Sequence, residues 1–382
     1  MPVQLNGATS GSVTIQATAV AGSSVLTLPA VTDTVATKTN PTFIGTVTTP
    51  TLVANTVTAT NAIDMGSSFM RNRIINGAMQ VDQRNAGASA ANIVGAAYTV
   101  DRWFCGTTQA SKGTLGQNLN SVTTTAGFPN YLGFQSSSAY SLLAGDYFYF
   151  GQSIEGYNFA DLGFGTASAQ TVTISFRVYS SLTGTFGGAL RNYAGVRSYP
   201  FTYVINTANT WTSISVTIPG DTSGTWVGST NAAAALLSFG FGVGSTYSGT
   251  AGSWSATNYV SAAGAVSVVG TLNATFYITG VQLEPGSVAT PFERRPINEV
   301  LAQCQRYYQT AQTVVFGSSG AQWISFLTTM RTSPTTSLTN ITYGNSNGGV
   351  ASNPNPNGFN PAYNVTNTGA YMISTYMANA EI

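Results

Sequence analysis

Between Tyr98 and Leu283 nine runs of alternating residues follow one another, and no stretch between them has the three-to-four-residue period of a helix. The runs are 98–105, 114–119, 131–135, 146–154, 171–179, 199–205, 211–218, 236–243 and 274–283. Turns rich in Gly, Ser and Asn separate them. In the cleanest run Val172, Ile174, Phe176 and Val178 share one face, and in its equal Ile214, Val216 and Ile218 do the same. One-faced strands need a second layer to cover them, so eight or nine of them describe a two-sheet sandwich. In the last run Phe276 and Ile278 are expected on one face with Gly280, and Tyr277, Thr279 and Val281 on the other.

The flanks read differently. Residues 1–68 hold one aromatic residue, Phe43, and four short alternating runs at 12–16, 24–28, 42–47 and 55–59, punctuated by Pro29, Pro41 and Pro50. Runs of five residues bury too little to fold alone. Three copies sharing their small apolar residues would form a thin trimeric stalk. A helix is expected over 297–311, where Ile297, Val300, Leu301, Cys304, Tyr308 and Ala311 form an apolar stripe behind Pro296. In 313–382, runs at 314–316, 322–326 and 371–373 read as strands, and 340–368, rich in Asn, Gly and Pro, as long loops. The expected fold class is therefore all-β. Its divisions are a stalk (1–68), a two-sheet sandwich (69–296), a short helix (297–312) and a small β-rich tip (313–382).

Composition narrows the function. Charged residues are 7% of the chain, against about 25% in ordinary globular proteins. Hydrophobic residues are 43%, which excludes disorder driven by low hydrophobicity. A polar, uncharged all-β surface is typical of fibres and extracellular assemblies. A net charge of +1 leaves no electrostatic footprint for nucleic acid. With no histidine, a Ser-His-Asp or Cys-His triad is impossible. Cys105 and Cys304, the two cysteines, are too few for a zinc site and are expected as free buried thiols. No cofactor is implied; a structural calcium held by Asp carboxylates and carbonyls stays open, with no dense Asp/Asn loop to single out its site. Glycoside hydrolysis needs two carboxylates; Asp146, Glu155 and Asp161 are the nearest grouping, with no acidic pair in an aromatic cleft, so the chain reads as a non-enzyme. The start Met1-Pro2-Val3-Gln4 lacks the basic and apolar regions of a signal peptide, and no apolar run approaches a membrane span. An extracellular composition without an export signal fits release by lysis, as for a virus particle.

Binding is the stronger expectation. The segment 221–259 places Trp226, Tyr247, Trp254 and Tyr259 among Gly, Ser, Thr and Asn. Exposed rings on polar loops suit stacking on carbohydrate. The competing reading packs these rings on the sandwich or on a neighbouring subunit. Tyr343, Phe359 and Tyr363, among asparagines, form a second candidate surface. Charge is concentrated in Glu293-Arg294-Arg295, which with Arg71, Arg73, Asp82, Arg84, Asp101 and Arg102 is expected to form one polar cluster at the base of the sandwich or an interface.

Two of these segments carry a resemblance. GVQLEPGSVATPFERRP (280–296), followed by CQRYYQ (304–309), is similar to the closing segment of a jelly-roll module common in bacteriophage tail-fibre and other virion-fibre proteins. NRIINGAMQVDQR (72–84), with Asp101-Arg102-Trp103 after it, is similar to the segment that opens such modules. The resemblance covers roughly residues 70–312. It implies that the sandwich is a jelly roll and the stalk a virion anchor. It also implies a homotrimeric fibre or spike, held to a capsid or tail protein of the virion by its N-terminal segment and adhering to host cell-surface polysaccharide. A head fibre or capsid-decorating protein without receptor specificity is the alternative, and a capsule depolymerase a more distant one. The motifs are specific for the module and poor guides to its ligand.

Overall fold

The structure, a computed structural model, describes residues 3–6, 12–15, 71–91, 95–316 and 322–382. Contacts divide the chain into two units, Met1–Ile63 and Asp64–Ile382. In the first, strands β1 (Val3–Asn6) and β2 (Ser12–Ile15) pair antiparallel. The runs expected at 24–28, 42–47 and 55–59, and the stalk built from them, lie outside the described residues.

The second unit opens with β3 (Ala90–Ala91), β4 (Gly95–Tyr98), β5 (Phe104–Thr107), β6 (Gly113–Gln117), β7 (Leu132–Ser136), β8 (Tyr147–Glu155), β9 (Val172–Ser180), β10 (Gly184–Asn192), β11 (Ser198–Ile205), β12 (Thr212–Ile218) and β13 (Ala233–Val243). The short β14 (Ser248–Gly249) and β15 (Ser261–Ala262) precede β16 (Thr275–Pro285). One antiparallel sheet runs β11-β10-β13-β8-β5-β4 and the other β12-β9-β16-β7-β6-β3. From β8 to β16 the long strands alternate between the sheets, apart from the β10–β11 hairpin, which is the crossing pattern of a jelly roll. The two inner faces meet in one core, where Phe134 stacks on Phe241 at 4.3 Å and Phe176 meets Phe239 edge-on at 4.8 Å. Such pairs each add about 0.5–1.5 kcal/mol beyond the area they bury.

The alternating pattern located these strands well, and it failed where the chain bends. The expected run 98–105 is a hairpin: β4 ends at Tyr98, and Arg102 turns in the left-handed region (φ 71) before β5 begins. The turn sends Asp101, Arg102 and Trp103 into the protein, all at most 1% exposed. The sequence reading passed over β10, because glycines at 184, 187 and 188 interrupt its alternation. In β16 a bulge intervenes: from Thr279 to Gln282 it advances three residues while β9 advances two. Gly280, at φ 60, takes up the extra residue. Val281 and Leu283 therefore point into the core with Phe276 and Ile278, and the expectation that Val281 faces away is corrected.

The opening motif lies along this bulge. Arg73 N donates to Leu283 O at 2.8 Å, Val281 N to Gly77 O at 2.9 Å, and Leu283 N to Asn72 Oδ1 at 3.1 Å. Residues 78–81 wrap around the Asn76 amide, whose Oδ1 accepts from Gln80 N and Val81 N and whose Nδ2 donates to Val81 O and Asp101 O. The helix α1 (Ile297–Gln305) ends six residues earlier than expected. Val300 and Cys304 pack on Ile75 and Val81, so the apolar stripe faces the opening motif. Both cysteines are free and buried, as expected.

After the helix come β17 (Tyr308–Phe316), β18 (Ile324–Ser325), β19 (Thr335–Gly344), β20 (Ser346–Asn355), β21 (Gly358–Val365) and β22 (Tyr371–Asn379), in sheets β17-β22-β19 and β18-β21-β20. The long loops expected over 340–368 are corrected to strands joined by tight turns. Asn340, Asn345 and Asn353 all have positive φ, so these asparagines mark turns and bulges inside a sheet. Phe359 (0% exposed) and Tyr363 (2%) lie in the cores between these sheets, which leaves Tyr343, 36% exposed, as the one open ring of the second candidate surface.

Candidate functional site

The outer face of the first sheet carries an aromatic row. Tyr98 meets Phe104 at 5.5 Å, Phe104 meets Tyr149 at 5.9 Å, Tyr149 meets Tyr147 at 5.5 Å, and Tyr147 meets Tyr247 at 5.2 Å. The sequence at 147–150 is Tyr-Phe-Tyr-Phe, so β8 presents Phe148 and Phe150 to the core and both tyrosines outward. Two glycines make room for the rings. A Cβ on Gly106 would stand 2.6 Å from the Tyr149 ring, and one on Gly151 2.8 Å from the Phe104 ring. Beside the row runs a second register line, Ser153–Leu236–Arg191, across β8, β13 and β10. Between the two lies a groove of 430 Å³, closed at its sides by Tyr193, Glu381 and Ile382. The Arg191 charge acts on the Tyr149 hydroxyl, and Tyr193 is 48% exposed at the rim.

The C-terminal wall is locked from below. Tyr98 Oη donates to Ile382 O at 2.8 Å. Arg102, 1% exposed, ion-pairs Glu381 and donates to Ser153 O at 2.7 Å, with its guanidinium 3.5 Å from the centre of the Tyr307 ring. Arg84 adds a second pair to Glu381 at 3.2 Å and lies 3.6 Å from Asp101. Burial pushes the Asp101 carboxyl up to about 6, against the lowering effect of Gln83 and Arg84. This folded value stands above the ordinary 3.8, so the folded state holds the proton more tightly. The contribution is full below the ordinary value and is lost as pH rises through 6. Asp101 alone should therefore make the protein more resistant to unfolding at pH 5 than at pH 7. Asp101→Asn should flatten that dependence in thermal melts at pH 5, 6 and 7; an unchanged slope would show that Asp101 titrates elsewhere.

Of the rings expected at the site, only Tyr247 joins the aromatic row. Trp226 stacks on Phe159 at 5.4 Å, meets Phe164 at 4.9 Å and Trp254 at 5.8 Å, and donates its indole N–H to Asp221 at 3.3 Å. Trp254 donates to Pro219 O at 2.7 Å. Tyr259 lies against Gly249. The two tryptophans pack against the sandwich core and cement the 219–227 segment onto it, as the competing reading had it. Tyr98, Phe104, Tyr149, Arg191 and Tyr193 were not singled out from the sequence. The doubled aromatics of 147–150 were the available signal.

The single polar cluster expected at the base is two clusters. Asn72 N donates to Glu293 at 2.7 Å, Arg295 bridges Glu293 and Asn72 O, and Arg71 lies 3.8 Å from Glu284. Arg84, Asp101 and Arg102 form the other around Glu381. Arg73 pairs with Asp161 at 2.6 Å, Asp82 caps the turn at Asn85 and Gly87, and Arg294 donates to Gly127 O beside Phe128. Asp146 and Glu155 stand at opposite ends of β8, about 30 Å apart along an extended strand, where hydrolytic pairs stand roughly 5–10 Å apart. Each is occupied: Asp146 accepts from Thr108, Gln109, Tyr140 and Leu143 N, and Glu155 from Arg306 and Tyr307.

No family model matches the chain, and no curated protein matches it. Among solved structures, a putative sugar binding protein from Bacteroides thetaiotaomicron is similar over 56% of this chain and 100% of its own, at 12% identity and a TM-score of 0.34. A family 11 carbohydrate-binding module from Clostridium thermocellum is similar over 52% of this chain and 99% of its own, at 14% identity and a TM-score of 0.26. The enzymatically active domain of bacteriophage CBA120 tailspike protein 4 is similar over 56% of this chain, at 13% identity and a TM-score of 0.31, and the match spans only 21% of the tailspike chain. All three are remote in sequence and in superposition, so the jelly-roll sandwich stands on the chain's own strand pairing.

Proposed function

We propose that this chain is a non-enzymatic virion fibre protein that adheres to bacterial surface glycan through the groove on its first sheet. The observation that carries the reading is a groove of 430 Å³ lined by Tyr98, Phe104 and Tyr149, with the exposed ring of Tyr193 at its rim. Sugar rings bind by laying their C–H faces on aromatic rings, with neutral and charged hydrogen bonders at the edges. Among the described residues the groove is lined by one acidic side chain, Glu381, and two arginines already hold it, which favours binding over hydrolysis. Attachment to the particle through the N-terminal segment rests on the motif resemblance, as does a homotrimer. Exposed Phe316, Trp323, Leu327 and Val350 support self-association, as does a stretch, 313–382, whose only charged residues are Arg331 and Glu381. Three weak sites on one particle gain avidity without stronger contacts.

The test uses fluorescently labelled full-length protein on host bacteria and on isogenic cells lacking surface polysaccharide. Selective binding to the first is expected. Tyr193→Ala, at an exposed rim position that leaves the core intact, should weaken it about tenfold, the usual scale for truncating an aromatic contact. Equal adsorption to both cell types by folded protein would reject the glycan reading and leave a structural role on the particle.

A further inference from the structure

We infer that the glycan taken by this groove is acidic, with Arg191 receiving a sugar carboxylate; the inference rests on the groove being the glycan site. Seven of the eleven described arginines stand within 4.0 Å of a carboxylate, and Arg177, Arg191, Arg294 and Arg331 do not. Of these four, Arg191 is the one that lines the groove. Its Nε is buried and has no hydrogen-bond partner. A guanidinium half-withdrawn from water, with an unused donor, beside Tyr149 and under the exposed rim ring Tyr193, is matched by a planar two-oxygen acceptor. Carboxylate is the acid group that a uronic or nonulosonic sugar carries at its ring, so the fork can bind it while the pyranose face lies on the exposed ring of Tyr193. The groove's own carboxylate does not compete for Arg191, because Arg84 and Arg102 occupy Glu381 at the opposite wall.

Other concavities fit an anion less well. The 590 Å³ cavity lined by Arg73, Arg295 and Arg306 has each arginine already paired with a carboxylate, Asp161, Glu293 and Glu155. The smaller hollow between the opening and closing motifs is lined by Glu293 and Arg295, which hold each other, and by Arg294, which donates to Gly127 O.

The experiment is a calorimetric titration of the full chain with paired oligosaccharides. The probes are oligogalacturonate, oligoguluronate, a hyaluronan fragment and an oligosialic acid, each beside its carboxyl-reduced counterpart. At least one acid is expected to bind ten- to a hundredfold more tightly than its reduced partner, the scale of a charge-assisted bond. Arg191→Gln should bring that ratio to within about twofold while binding of the reduced sugar persists, and Arg191→Lys should restore part of it. Wild-type protein that binds reduced and acidic partners alike, or an Arg191→Gln variant that keeps the full ratio, overturns the inference and leaves the glycan site standing. Binding of no probe in either form, by protein that melts normally and adsorbs to polysaccharide-free cells as well as to host cells, overturns both.

Discussion

Replacing Arg102 with Met is expected to destabilise the sandwich by about 3–5 kcal/mol, the range for removing one partner of a buried ion pair. The residue is 1% exposed and holds three groups at once: the Glu381 carboxylate, the Ser153 carbonyl and the face of Tyr307. Met fills most of the volume but supplies neither charge nor donors, so Ser153 O loses a bond and Glu381 keeps only Arg84 at 3.2 Å. The remaining pair places the effect near the lower end of the range. Urea denaturation followed by tryptophan fluorescence measures it. Adding Glu381→Leu to Arg102→Met should recover part of the loss, because the stranded charge is then gone. A single variant that loses less than 1 kcal/mol would show that the C-terminal wall of the groove is held by Tyr98 and Arg84 alone.

Gly280→Val is expected to cost about 3 kcal/mol or more. Two effects add. A β-branched residue at φ 60 sits in the left-handed region, at roughly 1–2 kcal/mol. Its Cβ would also stand 2.7 Å from the Phe128 ring, and overpacking of that kind costs about 1–3 kcal/mol. The alternative for the chain is to lose the bulge. Without it, Val281 and Leu283 would turn out of the core, and Asn72 would lose its partners at Val281 O and Leu283 N. Gly280→Asn, a residue that tolerates positive φ, should cost less than Val, and Phe128→Ala in the Gly280→Val background should relieve the steric part. If Val and Asn destabilise equally, ring contact rather than backbone geometry sets the penalty.

Much of the fold was legible because its signals are local. Period-two alternation in 172–178 and 214–218 needs only neighbouring residues, and it placed β9 and β12 within a residue of their observed ends. Pro296 marked the start of α1 for the same reason. The candidate site was less legible. Tyr247 was singled out and lies in the aromatic row, but Trp226 and Trp254 were read as loop rings from their Gly- and Ser-rich surroundings. Those small residues instead let the chain fold back so that the indoles pack on Phe159 and Phe164. The helix expected to 311 stops at Gln305 because Tyr307 is drawn beneath Arg102 and against Glu155, partners more than 150 residues away. Likewise, asparagines that read as loop residues supply the positive-φ corners of β19 and β20.

By itself the sequence determined the two-layer architecture, the low-charge surface, the free thiols and the absence of histidine chemistry. Each is a property of composition or of residues a few positions apart. Tertiary structure alone decided three further things: which way Val281 points, that the Gly-rich segment 184–192 is a central strand, and that Tyr98, Tyr149, Arg191 and Glu381 face one groove. These depend on register between strands distant in the chain, where one bulge inverts a face and one glycine admits a ring. Register is fixed by the summed packing of both sheets, which no local window of sequence contains.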